Sequence, residues 1–327
     1  MGYSPKEFLF AIKPEANIGS PLTSGMQLIN IDSISMPEFN PVQITDAKHS
    51  VGRTAKVVDM FTCKYGTIKS ITIEGTADKV TLPLLVQNVL TSGVTGSPSS
   101  YNIPANYMPP ELLHNAPSSV IKTFTVALIS PVSNGTILLP SCVVTNLVLR
   151  VNGIEDTNGL TKFTATFETR YLEQHERPTP TGLLEYSNDF YYIRSFSNKK
   201  KFAGVDNVVL DGLELTIKNQ SKYEGFQGAN ADPQAISRAV PEIMVTAQGT
   251  IMYNAATKGL VKNWVDGDAN RSIELSNNTT WTSATEFGIK ADNAVITGVD
   301  WNKNTSMYLD VDVKIVADSG NMLELIV

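Results

Sequence analysis

The feature that most constrains this chain is an order of elements that occurs twice. In the first half, Ile31-Asp32-Ser33-Ile34-Ser35-Met36 precedes a long loop. The strand segment Ile71-Thr72-Ile73-Glu74-Gly75-Thr76 follows, then a helical stretch at 82–90, a polar gap and a hairpin. That hairpin joins Val143-Val144-Thr145-Asn146-Leu147-Val148-Leu149 to residues 163–170 across Asn152-Gly153 and Asn158-Gly159, dipeptides that suit tight turns. The second half gives the same series: Leu210-Asp211-Gly212-Leu213-Glu214-Leu215, a long loop at 219–240, then Met244-Val245-Thr246-Ala247-Gln248-Gly249-Thr250. A helix over 255–265, a polar gap and a hairpin of residues 295–299 with 307–316 complete it. Gly75 and Gly249 stand 174 positions apart and Ile31 and Leu210 stand 179 apart, so the spacing drifts only by loop length. A recurrence of this kind is the mark of one unit used twice.

Within each half the dominant signal is period-2 alternation, which places successive side chains on opposite faces of a strand. It is cleanest in Tyr308-Leu309-Asp310-Val311-Asp312-Val313-Lys314-Ile315 and in Lys162-Phe163-Thr164-Ala165-Thr166-Phe167-Glu168. Helical signals are few. Thr81 is a candidate N-cap for the first helix, with Pro83 in its first turn, and Asp266-Gly267 ends the second. Charged residues make up only 18%, against about 25% in an ordinary globular chain. The fold class expected is mainly β: two tandem sandwich or barrel units, each with one flanking helix. The divisions expected are an N-terminal arm at 1–24, a first unit at 25–177, a linker at 178–204 and a second unit at 205–327.

These residues resemble a known family, the major tail tube proteins of long-tailed bacteriophages. The resemblance rests on Asn207-Val208-Val209-Leu210-Asp211-Gly212-Leu213-Glu214-Leu215-Thr216-Ile217-Lys218-Asn219, leading through Tyr223 and Asp232-Pro233 to Arg238. It rests also on Val245-Thr246-Ala247-Gln248-Gly249-Thr250 and its first-half counterpart ending at Gly75-Thr76, and it covers residues 25–327. It implies a β-sandwich unit, six of which close a ring whose inner strands form one barrel. Rings stack into the tube through which the genome leaves the capsid, and a chain carrying two units implies three chains per ring. It further implies a structural, non-enzymatic role in the virion tail after synthesis in the host cytoplasm. The implied partners are other copies of the chain with tape-measure, terminator and baseplate proteins, and double-stranded DNA passes the lumen without specific binding. The gap at 96–119 departs from the pattern and matches no family element.

Charge supports a conduit more than a gripping surface. Acids outnumber bases 32 to 26, a formal charge of −6, whereas non-specific nucleic-acid binding rests on clustered Lys and Arg. An acidic lumen would repel phosphate and let a duplex slide. The candidate lumen-facing positions are Thr72, Glu74, Thr246, Gln248, Asp310 and Asp312. Long loops are usually functional or disordered. Those at 40–56 and 219–240 therefore supply the candidate inter-subunit contacts Asn40, His49, Arg53, Lys56, Asn219, Tyr223, Asp232 and Arg238.

Sharper chemistry has little in the sequence to carry it, and no catalytic residue, metal ligand or cofactor is expected. His49, His114 and His175 are scattered, and no HExxH, nucleophile elbow, CxxC or glycine-rich phosphate loop occurs. Asp266-Gly267-Asp268-Ala269-Asn270 begins like a calcium loop, but Arg271 stands where Gly is needed and Asn277 where a bidentate Glu belongs. The stretch Phe190-Tyr191-Tyr192-Ile193-Arg194, continuing to Lys199-Lys200-Lys201-Phe202, interleaves aromatics and bases as single-strand binders do. Its place at the joint of the two halves favours packing on a neighbouring chain. Two cysteines, Cys63 and Cys142, fit a reducing compartment, and neither a signal peptide nor a membrane span is expected. Alternatives to the tube are a single-ring tail terminator or baseplate hub and, in another class, a carbohydrate-binding β-sandwich.

Overall fold

In the computed structural model the alternating segments become antiparallel ladders. The structure describes residues 7–35, 42–45, 60–63, 68–90, 100–104, 111–113, 123–132, 135–151, 159–171, 174–177, 180–192, 196, 198–225, 232–267, 271–278, 281, 287–302, 307–317 and 320–327. The first half contains β1 (Leu9–Pro14), β2 (Gln27–Leu28), β3 (Ile31–Ser35), β4 (Val42–Thr45), β5 (Met60–Cys63) and β6 (Lys69–Thr76). After α1 (Thr81–Leu90) come β7 (Ser100–Pro104), β8 (Glu111–Leu113), β9 (Phe124–Ile129), β10 (Thr136–Val151), β11 (Thr161–Thr169) and β12 (Gln174–Arg177). The second contains β13 (Lys199–Lys201), β14 (Leu210–Glu224), β15 (Ala235–Met252), α2 (Leu260–Val265), β16 (Arg271–Ser276), β17 (Gly288–Asn302), β18 (Tyr308–Ile315) and β19 (Asn321–Ile326).

The pairing order is the same in both halves. In the first, β3 pairs with β6, β6 with β11 and β11 with β10; in the second, β14 pairs with β15, β15 with β18 and β18 with β17. β10 then pairs with β14, joining the two into one eight-stranded sheet ordered β3-β6-β11-β10-β14-β15-β18-β17. The N-terminal part of the long strand in each half, β10 or β17, leaves this sheet for a second layer. There β10 meets β9 and β12, with β1 and β2 beyond, while β17 meets β16 and β19, with β13 and β7 beyond. The layers bury one continuous core between them. Phe10 of β1 and Phe124 of β9 pack on Phe167 of β11, with centroids 5.6 and 6.3 Å apart, and all three rings are fully buried. Each such side chain contributes about 1.5–3 kcal/mol by leaving water.

Irregularities recur too. β3 bulges against β6 between Ile31 and Ser33, and β14 bulges against β15 between Leu210 and Gly212, so the extra residue is Asp32 in one and Asp211 in the other. β10 bulges against β11 between Val144 and Asn146, and β17 against β18 between Ile296 and Gly298, the extra residue being a threonine both times, Thr145 and Thr297. Gly75 and Gly249, two residues out of step in the register that the bulges set, both carry a ring where a side chain would stand. A Cβ would meet Phe163 at 3.0 Å in the first and Phe202 at 2.8 Å in the second. Asn88 and Asn263 are each third from the end of their helix, and Asn88 accepts a hydrogen bond from Val144 N at the bulge.

Several expectations change. The segment expected as an N-terminal arm contains β1, paired with β9 and fully buried at Phe10, Ala11 and Ile12. The cap of α1 is Asp78 and not Thr81: its Oδ1 accepts from Val80 N at 2.9 Å and Thr81 N at 2.7 Å. The second helix is shorter than 255–265, because the Asn254 side chain captures Ala256 N and Thr257 N in a turn and α2 begins only at Leu260. The linker is stitched down by bridges Ser24–Thr181, Gln27–Leu184, Asp78–Phe190 and Leu160–Tyr192, and its Tyr191 and Phe196 rings pack on Phe287. The gap at 96–119 contributes β7 and β8, which cross to the other half and pair with β19 and β15.

Candidate functional site: the polar face of the joined sheet

Alternation gives the eight-stranded sheet one apolar face on the core and one polar face. Directly opposed residues share a face, and the registers carry two polar rows across all or most of the sheet. One runs Ser33, Glu74, Thr164, Val148, Thr216, Thr246, Lys314. The other runs Thr76, Lys162, Arg150, Glu214, Gln248, Asp312, Gly298. Thr72 opposes Thr166, and Thr250 opposes Asp310, which in turn opposes Asp300. Thus Thr72, Glu74, Thr246, Gln248, Asp310 and Asp312 all lie on this face, up to five strand positions apart yet on one surface.

Hydrogen bonds knit the face. Thr72 and Thr166 hydroxyls meet at 3.0 Å, and Ser33 donates to Glu74 at 2.9 Å. Across the β10–β14 joint, Arg150 Nε donates to Glu214 Oε2 at 2.8 Å and its Nη1 to Thr164 at 3.1 Å. Lys162 donates to Asp32 Oδ2 at 2.9 Å and to Thr76 at 2.7 Å. In the first half and at the joint, Arg150 and Lys162 therefore each meet a carboxylate, while Glu74 accepts from a neutral hydroxyl. The carboxylates of the second half are met differently. Gln248 donates to Asp312 at 2.7 Å, Thr250 to Asp310 at 2.7 Å and Asn302 to Asp310 at 3.2 Å, so the donors to these carboxylates are neutral. Asp300 stands exposed directly across from Asp310. Gly298 makes room for the Asp312 carboxylate, which lies 3.0 Å from where a Cβ would be.

Of the expected inter-subunit positions, Asn40, His49, Arg53 and Lys56 lie outside the described residues. Of the others, only Asp232 lies in a connection between strands. Asn219, Tyr223 and Arg238 belong to the arms of the β14–β15 hairpin, and Asp232 precedes its second arm. The hairpin is held within the chain: β8 pairs with β15, Tyr223 Oη donates to Glu168 O at 2.9 Å, and buried Asn219 donates to Val89 O of α1 at 2.7 Å. The signals that sequence reading missed were the matched bulge residues, visible as Ile31-Asp32-Ser33 beside Leu210-Asp211-Gly212 and as Val144-Thr145-Asn146 beside Ile296-Thr297-Gly298.

What the face offers is hydroxyl, amide and carboxylate groups over a broad surface, interspersed with the cations Arg150, Lys162 and Lys314. Among the described residues no group of three or more His, Cys, Asp or Glu is placed to hold a metal ion. Cys142 is buried, and desolvation pushes its thiol well above the usual range. No helix among the described residues is long and apolar enough to cross a membrane. The chain matches no protein-family model, and no curated protein matches it.

Proposed function

We propose that this chain is the building block of a hollow tube, with the polar face of the joined sheet lining the lumen. The observation that carries the reading is the β10–β14 joint: two half-sheets of the same pairing order already meet edge to edge, with their polar faces continuous. A sheet that joins to its like in this way leaves edges to be closed, and closure into a barrel is the arrangement that removes them. Three chains would supply six half-sheets. By its resemblance to phage tail tube proteins, the conduit carries a viral genome, and rings of three chains stack through loops at their rims. Passage without sticking is supported by a face whose Arg150 and Lys162 are already paired with Glu214 and Asp32 and which adds Asp300, Asp310 and Asp312.

The test is the mass of the smallest particle that the purified protein forms, with its appearance in negative stain. Particles of three 35.6 kDa chains that stack into hollow tubes support the reading. Rings of three that never stack favour a terminator or hub ring. A protein that stays a single chain at high concentration across salt conditions contradicts the assembly and turns attention to glycan binding.

A further inference from the structure

Apart from the core between the layers, Ile18, Val143, Tyr171, Tyr223 and Ile236 form a small core of their own, all of them buried. Satellite clusters of this kind sit under long connections. Val143 comes from β10 and Tyr171 from just past β11, while Ile18 comes from the connection between β1 and β2. Tyr223 and Ile236 come from the outer part of the β14–β15 hairpin. The ladder between those strands is interrupted after Asn219, and residues 221–224 then pair with 235–238 in a register of their own. These outer rungs reach the body through Tyr223 Oη on Glu168 O, through Arg170 Nη1, which donates to Tyr223 O at 3.1 Å, and through β8.

The stretch that brings Ile18 there is tied to β9 and β10 by two hydroxyls. Gly19 N donates to Ser141 Oγ at 2.6 Å and Leu22 N to Thr125 Oγ1 at 3.0 Å. Both hydroxyls donate their own protons to Glu15, so one carboxylate orients both acceptors. Ser141 has a left-handed backbone, φ 51°, which a residue other than glycine keeps only where its surroundings fix it. Glu15 fixes it by accepting from both its N and its Oγ. The adjoining Pro140 O accepts from Thr169 Oγ1 at 2.6 Å, and Tyr171 N donates to that same hydroxyl at 3.1 Å. The strained corner thus links the Glu15 side of the small core to Tyr171.

We infer that residues 15–22 are a strap that closes the small core, with Glu15 as its catch, and that strap and outer rungs open as one unit while the rest of the eight-stranded sheet stays folded. A handful of side chains bounded by an interrupted ladder is the kind of element that opens sub-globally. Opening uncovers two tyrosines and three aliphatic side chains that the closed chain conceals, a surface gated by the strap. Strap and rungs belong to one chain, so the device stands whether or not copies assemble.

The test is native-state hydrogen exchange of the full chain, resolved by residue and followed into low denaturant. The reporters are the amides of Gly19 and Leu22 in the strap and of Gln234, which donates to Glu224 O at 2.8 Å across the outer rungs. In the parent protein these three should share one protection factor, at least about 10-fold below those of Leu215 and Ile217, and hardly changed by denaturant. Ile18→Ala should speed Gln234 at least about 20-fold, and Ser141→Ala, which removes the Gly19 acceptor without touching the hairpin, about fivefold. Leu309→Ala, in the main core, should speed Leu215 and Ile217 and leave the three reporters as they were, because their opening does not involve β18. The parent's exchange decides even where a variant fails to fold. Reporters as slow as Leu215, or sped equally by Leu309→Ala, would show that they exchange only by global unfolding and overturn the unit. Gly19 sped by Ser141→Ala with Gln234 unmoved would overturn the strap.

Discussion

Glu15 accepts four hydrogen bonds where water does not reach. Ser141 N and Oγ donate at 2.9 and 2.8 Å, Thr123 at 2.8 Å and Thr125 at 2.7 Å, and the residue is 1% exposed. Together they pin the end of β1 to β9 and β10. Burial raises its pKa above 4.5, outweighing the lowering by these donors. The folded state thus holds the proton more tightly than the unfolded chain. Its contribution to stability is present in full below the unfolded pKa and is lost as pH rises through the folded one. Thermal melts of Glu15→Gln against pH should lack this downward step, and parallel curves for the two proteins would contradict the assignment. The paired glycines give a second prediction at this scale. A Cβ on Gly75 would lie 2.0 Å from the Asn30 carbonyl oxygen, and one on Gly249 would lie 2.8 Å from the Phe202 ring. Denaturant unfolding of Gly249→Ala should show a loss of about 1–3 kcal/mol as the ring shifts, and Gly75→Ala a larger one, because backbone cannot yield as a ring can.

Among elements, β7 shows how the halves are bound together. Tyr101 of β7 is 2% exposed, and its hydroxyl donates to Pro83 O of α1 at 2.9 Å while the strand pairs with β19. Tyr101→Phe should cost about 1 kcal/mol, one hydrogen bond, and Tyr101→Ala about 3–5 kcal/mol. Equal losses in equilibrium unfolding would mean that the ring itself packs on little. The elements legible in the sequence were those whose periodicity is written locally. β6, β11, β14, β15, β17 and β18 alternate because one face meets the core, β10 is a long apolar run, and α1 follows from its apolar run and Pro83. β7 and β8 were not legible because their partners β19 and β15 lie far along the chain, and no local pattern encodes a distant edge. The arms of 219–240 were read as loop because Asn219-Gln220-Ser221-Lys222 lacks alternation; pairing with β15, and of β15 with β8, makes them strand. The candidate face was legible for the same reason as the strands. Its continuity across β10–β14 was not, since register between distant strands is a tertiary property.

The eight-stranded sheet presents one polar surface to which both halves contribute. Each half supplies four strands with a polar face, and the joint makes the two faces one. If this face meets passing DNA, its charge decides whether the duplex slides. Replacing Asp300, Asp310 and Asp312 together by Lys should convert assembled particles from non-binders into binders of duplex DNA, with retention falling steeply between about 50 and 200 mM salt. Filter retention unchanged by the triple substitution would place the face away from the DNA path. The tube is tested most directly by electron microscopy of the assembled protein viewed down its axis, at a resolution that separates half-sheets. The expected image is a hollow ring of three chains with six similar segments and with the face bearing Gln248, Asp310 and Asp312 turned to the hole. A particle without a central channel, or a ring with that face turned outward, would contradict it.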